Sequence, residues 1–406
     1  LPYLARPLAA QKNRLAGGLF PCSTEPRFRT PPLVAENRMS TSPYLTLTVV
    51  DLTRETDDCV TIHLERPDRQ PIASQPGQFL TLIVPCGAGT RPERRSYSLS
   101  STPHESPRLS VTVKRVPGGL VSNYLLDNVQ VGQQMEVMAP MGNFTVEPKA
   151  GAARSLVLIG AGSGVTPLMS ILKSVLHTEP QSHVLLVYGN RSEDSVIFKD
   201  QLQALEQQYA GRFQVEHVYS QPQNPAAVAH KGRLNRTMLL RILEQRHQFP
   251  AAQAEYFMCG PEGMMTEARA ALELLGVPAN HIRRESFVAS ADSAETAASQ
   301  PDGHGTVTAD DDDAITTRTV TIQYEGTDYQ VEVQPNQTIL EAALDLDIDL
   351  PYSCQAGLCT ACRGKCLSGK VHLDEREGLS DSELKQGYVL VCVGHPLTSD
   401  VVIEIG

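Results

Sequence analysis

Four cysteines near the C-terminus constrain this chain more than any other feature. Cys354, Cys359, Cys362 and Cys392 leave four residues between the first two, two between the next two, and twenty-nine before the last. Three thiolates crowded into one short loop, with a fourth returning from a later strand, can surround a small iron–sulfur cluster. This is the spacing that holds a [2Fe–2S] centre. The loop text, Cys354-Gln355-Ala356-Gly357-Leu358-Cys359-Thr360-Ala361-Cys362, agrees. Ala356 and Gly357 carry no bulk, so backbone amides can turn toward the sulfurs and help set the reduction potential. A zinc site built from the same thiolates is the competing reading. Cys366, close by, reads as a small buried residue on the following strand.

The remaining composition bounds the partners. The 406 residues suggest about two to four domains. No run of eighteen apolar residues occurs, which argues against a membrane-spanning helix. Nine cysteines is an odd count. Beyond the four in the motif they show no paired framework, which fits a reducing, cytoplasmic setting. The net charge of −11 is unevenly spread. Residues 43–288 are neutral, 289–316 carry seven acidic groups and no Lys or Arg, and 317–406 carry fourteen acidic against six basic groups. Acidity at that end argues against nucleic acid. It suits steering toward a basic patch on a protein partner, or simple solubility.

Residues 1–42 read as a disordered or non-native arm. They hold scattered Pro and Arg with no sustained period, and the first Met is Met39. The biological start is expected there, a basic targeting peptide being the alternative. Residues 43–149 read as β structure. Tyr44 to Leu52, Val60 to Leu64, Phe79 to Val84, Leu109 to Val113 and Met135 to Met138 alternate apolar and polar residues between Pro, Gly, Asp and Ser clusters. That pattern predicts a small barrel or sandwich. Two motifs sit inside it. In Arg95-Ser96-Tyr97-Ser98 an Arg can pair with a diphosphate, a Tyr ring can lie on a flavin and a Ser hydroxyl can bond a flavin nitrogen; an ordinary strand with one exposed Arg reads equally from four residues. In Gly118-Gly119-Leu120-Val121-Ser122 the glycines would let backbone approach phosphate oxygens at a helix N-terminus, or simply make a turn before a structural helix.

Residues 150–288 change rhythm. Leu156 to Ile159 is a continuous apolar run, as a buried parallel strand requires. It leads into Gly160-Ala161-Gly162-Ser163-Gly164-Val165-Thr166-Pro167 and then an apolar-periodic helix. Strand, Gly-rich turn and helix make a dinucleotide site credible, although Thr166 and Pro167 stand where the strict fingerprint has a further Gly. Strands at Val184 to Tyr188, Phe213 to Tyr219 and Tyr256 to Met258 follow, the last ending in Cys259-Gly260-Pro261. This alternation predicts a doubly wound α/β sheet with ligands at its carboxyl edge. Residues 289–316, rich in Ala, Ser, Thr and Asp, read as an acidic flexible linker. From 317 to 406 a hairpin, a short helix at Thr338 to Leu346, the cysteine loop and a strand at Val389 to Val393 carrying Cys392 predict an α+β domain.

Taken in order, these motifs resemble the ferredoxin–NADP reductase superfamily. Residues 317–406 look like its plant-type ferredoxin domain of β-grasp fold, and the subgroup is that of reductase components of multicomponent oxygenases. The resemblance covers 43–406. It implies an FAD-binding β-barrel, a nicotinamide-binding α/β domain and a [2Fe–2S] domain. Arg95 would bind the FAD pyrophosphate, Tyr97 would pack on the isoalloxazine and Ser98 would bond near its N5. Gly119, Leu120, Val121 and Ser122 would hold the pyrophosphate through backbone amides, which favours FAD over FMN. Gly160, Gly162, Gly164 and Thr166 would line the nicotinamide cofactor, with Cys259, Gly260 and Pro261 at its ring. Glu285 and Phe287 match the family's Glu-x-aromatic, whose ring covers the flavin. Ser98, Cys259 and Glu285 are the expected catalytic residues, and Cys354, Cys359, Cys362 and Cys392 the cluster ligands. The second strand offers Asn190 and Arg191 where an acidic residue would bond an NAD ribose. Arg191 could pair with a 2′-phosphate, which favours NADPH, with NADH the alternative. The implied activity is electron transfer from NAD(P)H through FAD and the cluster to a terminal oxygenase or hydroxylase. Two alternatives share much of the pattern: a reductase of a hybrid-cluster protein, and a flavin diaphorase with a zinc-binding docking module.

Overall fold

The computed structural model describes residues 44–87, 92–226, 228–246, 253–287, 315–352, 354–355, 357, 359–376 and 378–405. The expectations for residues 1–42, and for nearly all of 289–316, fall outside these. Three main sheets, one for each predicted segment, and a small two-stranded sheet in the last segment make up the rest.

The first is antiparallel: β1 (Tyr44–Thr56), β2 (Cys59–Glu65), β3 (Phe79–Val84), β4 (Glu93–Ser98), β5 (Leu109–Lys114) and, after helix α1 (Leu120–Asn128), β6 (Gln134–Met141). Its order is β4-β3-β6-β1-β2-β5. A bridge between Leu99 and Val111 joins the two edges and closes the sheet into a barrel. Closure removes the open edges that an isolated sheet would expose. Leu47, Val49, Ile62, Leu64, Leu80, Leu82, Val111, Val113 and Val137 fill its interior, with Val121 and Leu125 of α1 packed on them.

The second sheet is parallel. It comprises β7 (Ser155–Ala161), α2 (Val165–Thr178), β8 (His183–Asn190), α3 (Lys199–Gln208), β9 (Phe213–Tyr219), β10 (His230–Lys231), α4 (Arg236–Glu244), β11 (Glu255–Cys259), α5 (Glu262–Leu274) and β12 (Ile282–Glu285). The order β10-β9-β8-β7-β11-β12 reverses direction between β7 and β11. Leu156, Leu158, Val184 and Leu186 meet α2 and α3 on one face. Val157, Ile159, Leu185 and Val187 meet α4 and α5 on the other. Both faces are covered, which is why these strands read as unbroken apolar runs. The edge strands β10 and β12 escaped the sequence reading. One has two residues and the other reads Ile-Arg-Arg-Glu, so neither carries a clear period.

The third segment holds β13 (Arg318–Tyr324), β14 (Thr327–Val333), α6 (Ile339–Asp345), β15 (Arg363–Ser368), β16 (Val371–Leu373), α7 (Asp381–Lys385), β17 (Tyr388–Leu390), β18 (Gly394–Pro396) and β19 (Val402–Ile405), with β16 and β18 pairing as a separate two-stranded sheet. The main sheet runs β14-β13-β19-β15-β17, with β19 parallel to β13. The β13–β14 hairpin turns through Glu325 and Gly326, both at positive φ, the backbone twist that two-residue hairpins favour. A capping box starts α6: Thr338 Oγ1 accepts from Glu341 N at 3.2 Å, and Thr338 N donates to Glu341 Oε2 at 2.8 Å. One expectation is corrected here. Cys392 lies not on a strand but in a 3₁₀ turn, Val391–Val393, that follows β17. The turn is anchored by Val391 N donating to Cys362 O at 3.2 Å, which ties it to the cysteine loop.

Specific contacts join the parts. Ser170 Oγ donates to Ser101 O at 2.6 Å, Lys173 pairs with Glu105 at 2.7 Å, and Phe198 N donates to Glu55 Oε2 at 3.2 Å, holding the α/β sheet to the barrel. Phe79, Ile83 and Met138 of the barrel form one apolar cluster with Cys359 and Ala361 of the cysteine loop.

Candidate functional site

The strand order reverses between the parallel neighbours β7 and β11, which places two turns side by side, and such a switch point is where open α/β sheets bind ligands. Gly160 pairs in register with Cys259. Gly162 adopts φ +55°, and a Cβ on Gly164 would lie 2.0 Å from Cys259 O. Only glycine permits this approach. Thr166 is buried and its hydroxyl donates to Ser163 O at 2.9 Å, so it shapes the turn rather than facing outward. Gly160 is likewise buried beneath Leu168. Gly162, Gly164, Asn190, Arg191, Gly260, Pro261 and Phe287 line one cleft of about 1260 Å³. The sequence reading missed three cations on this cleft: Lys114 and Arg115 from the barrel and Arg233 from the β10–α4 connection. No local motif marks them, because each arrives from a separate element. The glycine-lined turn leaves the room and the amides that a dinucleotide needs.

Where the barrel meets this cleft, three expected residues converge from distant positions. Cys259 ends β11, and Glu285 pairs beside it at the end of β12. Ser98, ending β4, donates from Oγ to Glu285 Oε2 at 3.2 Å. Loss of water around Glu285 pushes its carboxyl up to about 8, while the Ser98 hydrogen bond pulls the other way. Burial, and then the Glu285 charge, push the Cys259 thiol well up, so it is a neutral S–H and not a thiolate nucleophile. Phe287, two residues beyond Glu285, is 45% exposed, leaving a ring face open.

Along β4, Tyr97 is half-buried and its phenol is held protonated by burial. Arg95 is 42% exposed, paired with Glu93 at 3.2 Å. Helix α1 begins at Leu120 with Gly119 as its N-cap. Val121 is in the barrel core, and Ser122 Oγ accepts from Val116 N at 3.1 Å. The Val121 and Ser122 side chains are therefore used locally, Leu120 is exposed, and the first-turn amides remain as donors. A half-exposed guanidinium and a helix N-terminus on one barrel suit a pyrophosphate.

The four cysteines converge. The neighbouring thiols Cys354 and Cys362, together with burial, push the Cys359 and Cys392 thiols strongly up. Sulfurs that resist ionising beside one another suit a centre that supplies positive charge. Gln355 and Gly357 both take positive φ. A Cβ on Gly357 would meet Glu375 O at 2.9 Å, so the following loop closes tightly over the cysteines. Cys366 stays outside the set; its thiol donates to Ser368 O at 3.1 Å, and it is only partly buried.

Comparison with known proteins follows these boundaries. Residues 46–146 match the oxidoreductase FAD-binding domain, 158–270 the oxidoreductase NAD-binding domain and 322–397 the 2Fe-2S iron-sulfur cluster binding domain. The chain thus carries FAD-, NAD- and [2Fe–2S]-binding domains in that order. It is 35% identical over 364 residues to a subunit of the 1,2-phenylacetyl-CoA epoxidase of Escherichia coli, covering 88% of this chain and 96% of that protein. It is 37% identical over 361 residues to the 3-ketosteroid-9-alpha-monooxygenase ferredoxin reductase component of Rhodococcus rhodochrous, with the same coverage of 88% and 96%. The structure of phthalate dioxygenase reductase superposes with a TM-score of 0.53 at 24% identity, covering 90% of this chain and 100% of that one. That likeness shows the fold. No helix among the described residues is long and apolar enough to cross a membrane.

Proposed function

The chain belongs to the ferredoxin–NADP reductase superfamily, among members with a C-terminal plant-type [2Fe–2S] domain, and from this we propose that it is the reductase component of an oxygenase system. It passes electrons from NAD(P)H through FAD and the cluster to a terminal oxygenase or hydroxylase. The observation that carries this reading is the packing of Cys359 and Ala361 on Phe79, Ile83 and Met138, which sets the cysteine loop directly on the barrel. A bound flavin accepts a hydride as a pair and releases electrons singly to a one-electron cluster.

Each expected site residue then has a part. Arg95 and the α1 N-terminus would hold the pyrophosphate. Tyr97 would pack on the flavin ring, and Phe287 would cover it. Ser98 and Glu285, joined by their hydrogen bond, would face the bound flavin, and a Glu285 carboxyl raised to about 8 could hold or release a proton there at neutral pH. Cys259 does not reach the ring as expected: it is fully buried in the core under α2, so its neutral thiol would back the nicotinamide pocket, while Gly260 and Pro261 line it. Cys354, Cys359, Cys362 and Cys392 ligate the cluster. The proposed domains are 43–149, 150–288 and 317–406, and each matched stretch lies inside one of them. None of the eight described cysteines is in a disulfide, which supports a reducing, cytoplasmic setting. Arg191 on the cleft supports NADPH as the donor; comparing kcat/KM for NADPH and NADH in the wild type and Arg191→Ala tests this, and an unchanged preference rejects it.

The test of the main reading is an anaerobic absorption spectrum with each nicotinamide added in turn. Flavin and broad [2Fe–2S] bands that both bleach support it. Flavin bands alone, with zinc found by metal analysis, would replace it by a diaphorase with a structural appendage.

A further inference from the structure

We propose that Arg94 is a positioning residue for the internal electron step: it fixes the cysteine loop of the ferredoxin domain in one orientation on the flavin barrel. The proposal rests on the reading above, that electrons pass from flavin to cluster within one chain.

Alternation along β4 turns Arg94 and Arg95 to opposite faces. Arg95 stays open, whereas Arg94 is only 5% exposed. Its Nη2 donates to both carboxylate oxygens of Asp349, at 2.9 and 3.0 Å, and its Nη1 donates to Leu350 O at 3.1 Å. The guanidinium carbon lies 4.6 Å from the Tyr352 ring centroid and 5.6 Å from that of Tyr44. Asp349, Leu350 and Tyr352 all belong to the stretch that runs into Cys354, so one barrel side chain grips the entry to the cluster loop.

The burial is lopsided. Asp349 is 70% exposed, so the anion is hydrated while the cation is not. What covers Arg94 is the docked ferredoxin domain. A buried guanidinium is tolerated only when its donors are satisfied, and here the domain's carboxylate, carbonyl and aromatic face supply the partners. Two nitrogens of one planar guanidinium, Nη2 on Asp349 and Nη1 on Leu350 O, fix angle as well as distance. The apolar contact of Phe79, Ile83 and Met138 with the cysteine loop gives adhesion but little orientation, since apolar attraction is non-directional. Electron tunnelling falls steeply with the gap between centres, so a looser dock would slow the flavin-to-cluster step and leave the earlier hydride step alone. Lys cannot replace the fork.

The experiment uses the FAD- and cluster-loaded full chain, as wild type, Arg94→Met, Asp349→Asn and the double variant. Anaerobic stopped-flow with NADPH follows flavin and cluster bleaching separately, and small-angle X-ray scattering follows compactness without turnover. Expected are an unchanged hydride step, which also shows the variants are folded, a flavin-to-cluster step slowed roughly tenfold or more, and a larger radius of gyration. The double variant should be no worse than Arg94→Met alone, as for two ends of one contact. Variants that match the wild type in both readouts overturn the proposal alone. A wild type whose flavin bleaches while its cluster bands never respond overturns the underlying reading, and this proposal with it.

Discussion

Glu285 is the residue at which three separate stretches of chain meet. Its register beside Cys259 and its hydrogen bond from Ser98 place one carboxyl between barrel and sheet, and loss of solvent raises it from 4.5 to about 8. An acid raised on folding binds more protons folded than unfolded, so its stabilising share is complete below about 4.5 and is lost as pH rises toward about 8. Wild type should therefore lose stability relative to Glu285→Gln across that window, as measured by denaturant unfolding at pH 5 and pH 8.5. Parallel curves at the two pH values would show that the carboxyl is not held this way. Gly164 makes a second prediction at this scale. A Cβ there meets backbone, 2.0 Å from Cys259 O, and backbone cannot rotate aside. Gly164→Ala should cost about 1–3 kcal/mol and raise KM for the nicotinamide, read from thermal unfolding and steady-state kinetics.

Among the elements, α6 and the turn that carries Cys392 show why some structure was legible and some was not. The α6 capping box is written in Thr338 and Glu341, three residues apart, and the helix forms where that signal puts it. Thr338→Ala should remove about 1 kcal/mol from the ferredoxin domain, seen as earlier loss of [2Fe–2S] absorbance on heating. Val389 to Val393 reads as a strand because nearly every residue in it is apolar. Only β17 stays extended; the chain then tightens into the 3₁₀ turn, where the hydrogen bond from Val391 to Cys362 brings the last thiol to the other three. No local propensity encodes a bend imposed by ligands thirty residues upstream. Edge strands β10 and β12 were missed for a related reason, since a short or polar edge takes its pairing from its neighbour.

At the scale of the molecule, the docked ferredoxin domain covers its cysteine loop with the barrel. Delivery to a partner then requires either another face of the domain or its departure from the barrel. The stretch 289–316, acidic and without Lys or Arg, is the tether that departure would use. Removing ten residues from it should leave reduction of the cluster by NADPH unchanged and slow reduction of a partner oxygenase. Equal partner rates in the shortened and full-length chains would mean that the domain delivers electrons without leaving.

The sequence alone determined what is local. It carried the cysteine spacing, the glycine turn after an apolar strand and the order of three domains, because each is a short pattern whose chemistry depends on near neighbours. Tertiary structure alone decided what joins distant positions. Ser98 reaches Glu285 across 187 residues, and Arg94 reaches Asp349 across 255. The first of those groupings was expected only through family likeness, and the second was not expected at all. Arg94 stands next to an Arg that the motif already explained, and nothing in its immediate text says which of the two will be buried. That depends on which face of β4 the third domain covers, and such a contact exists only once the three sheets have packed.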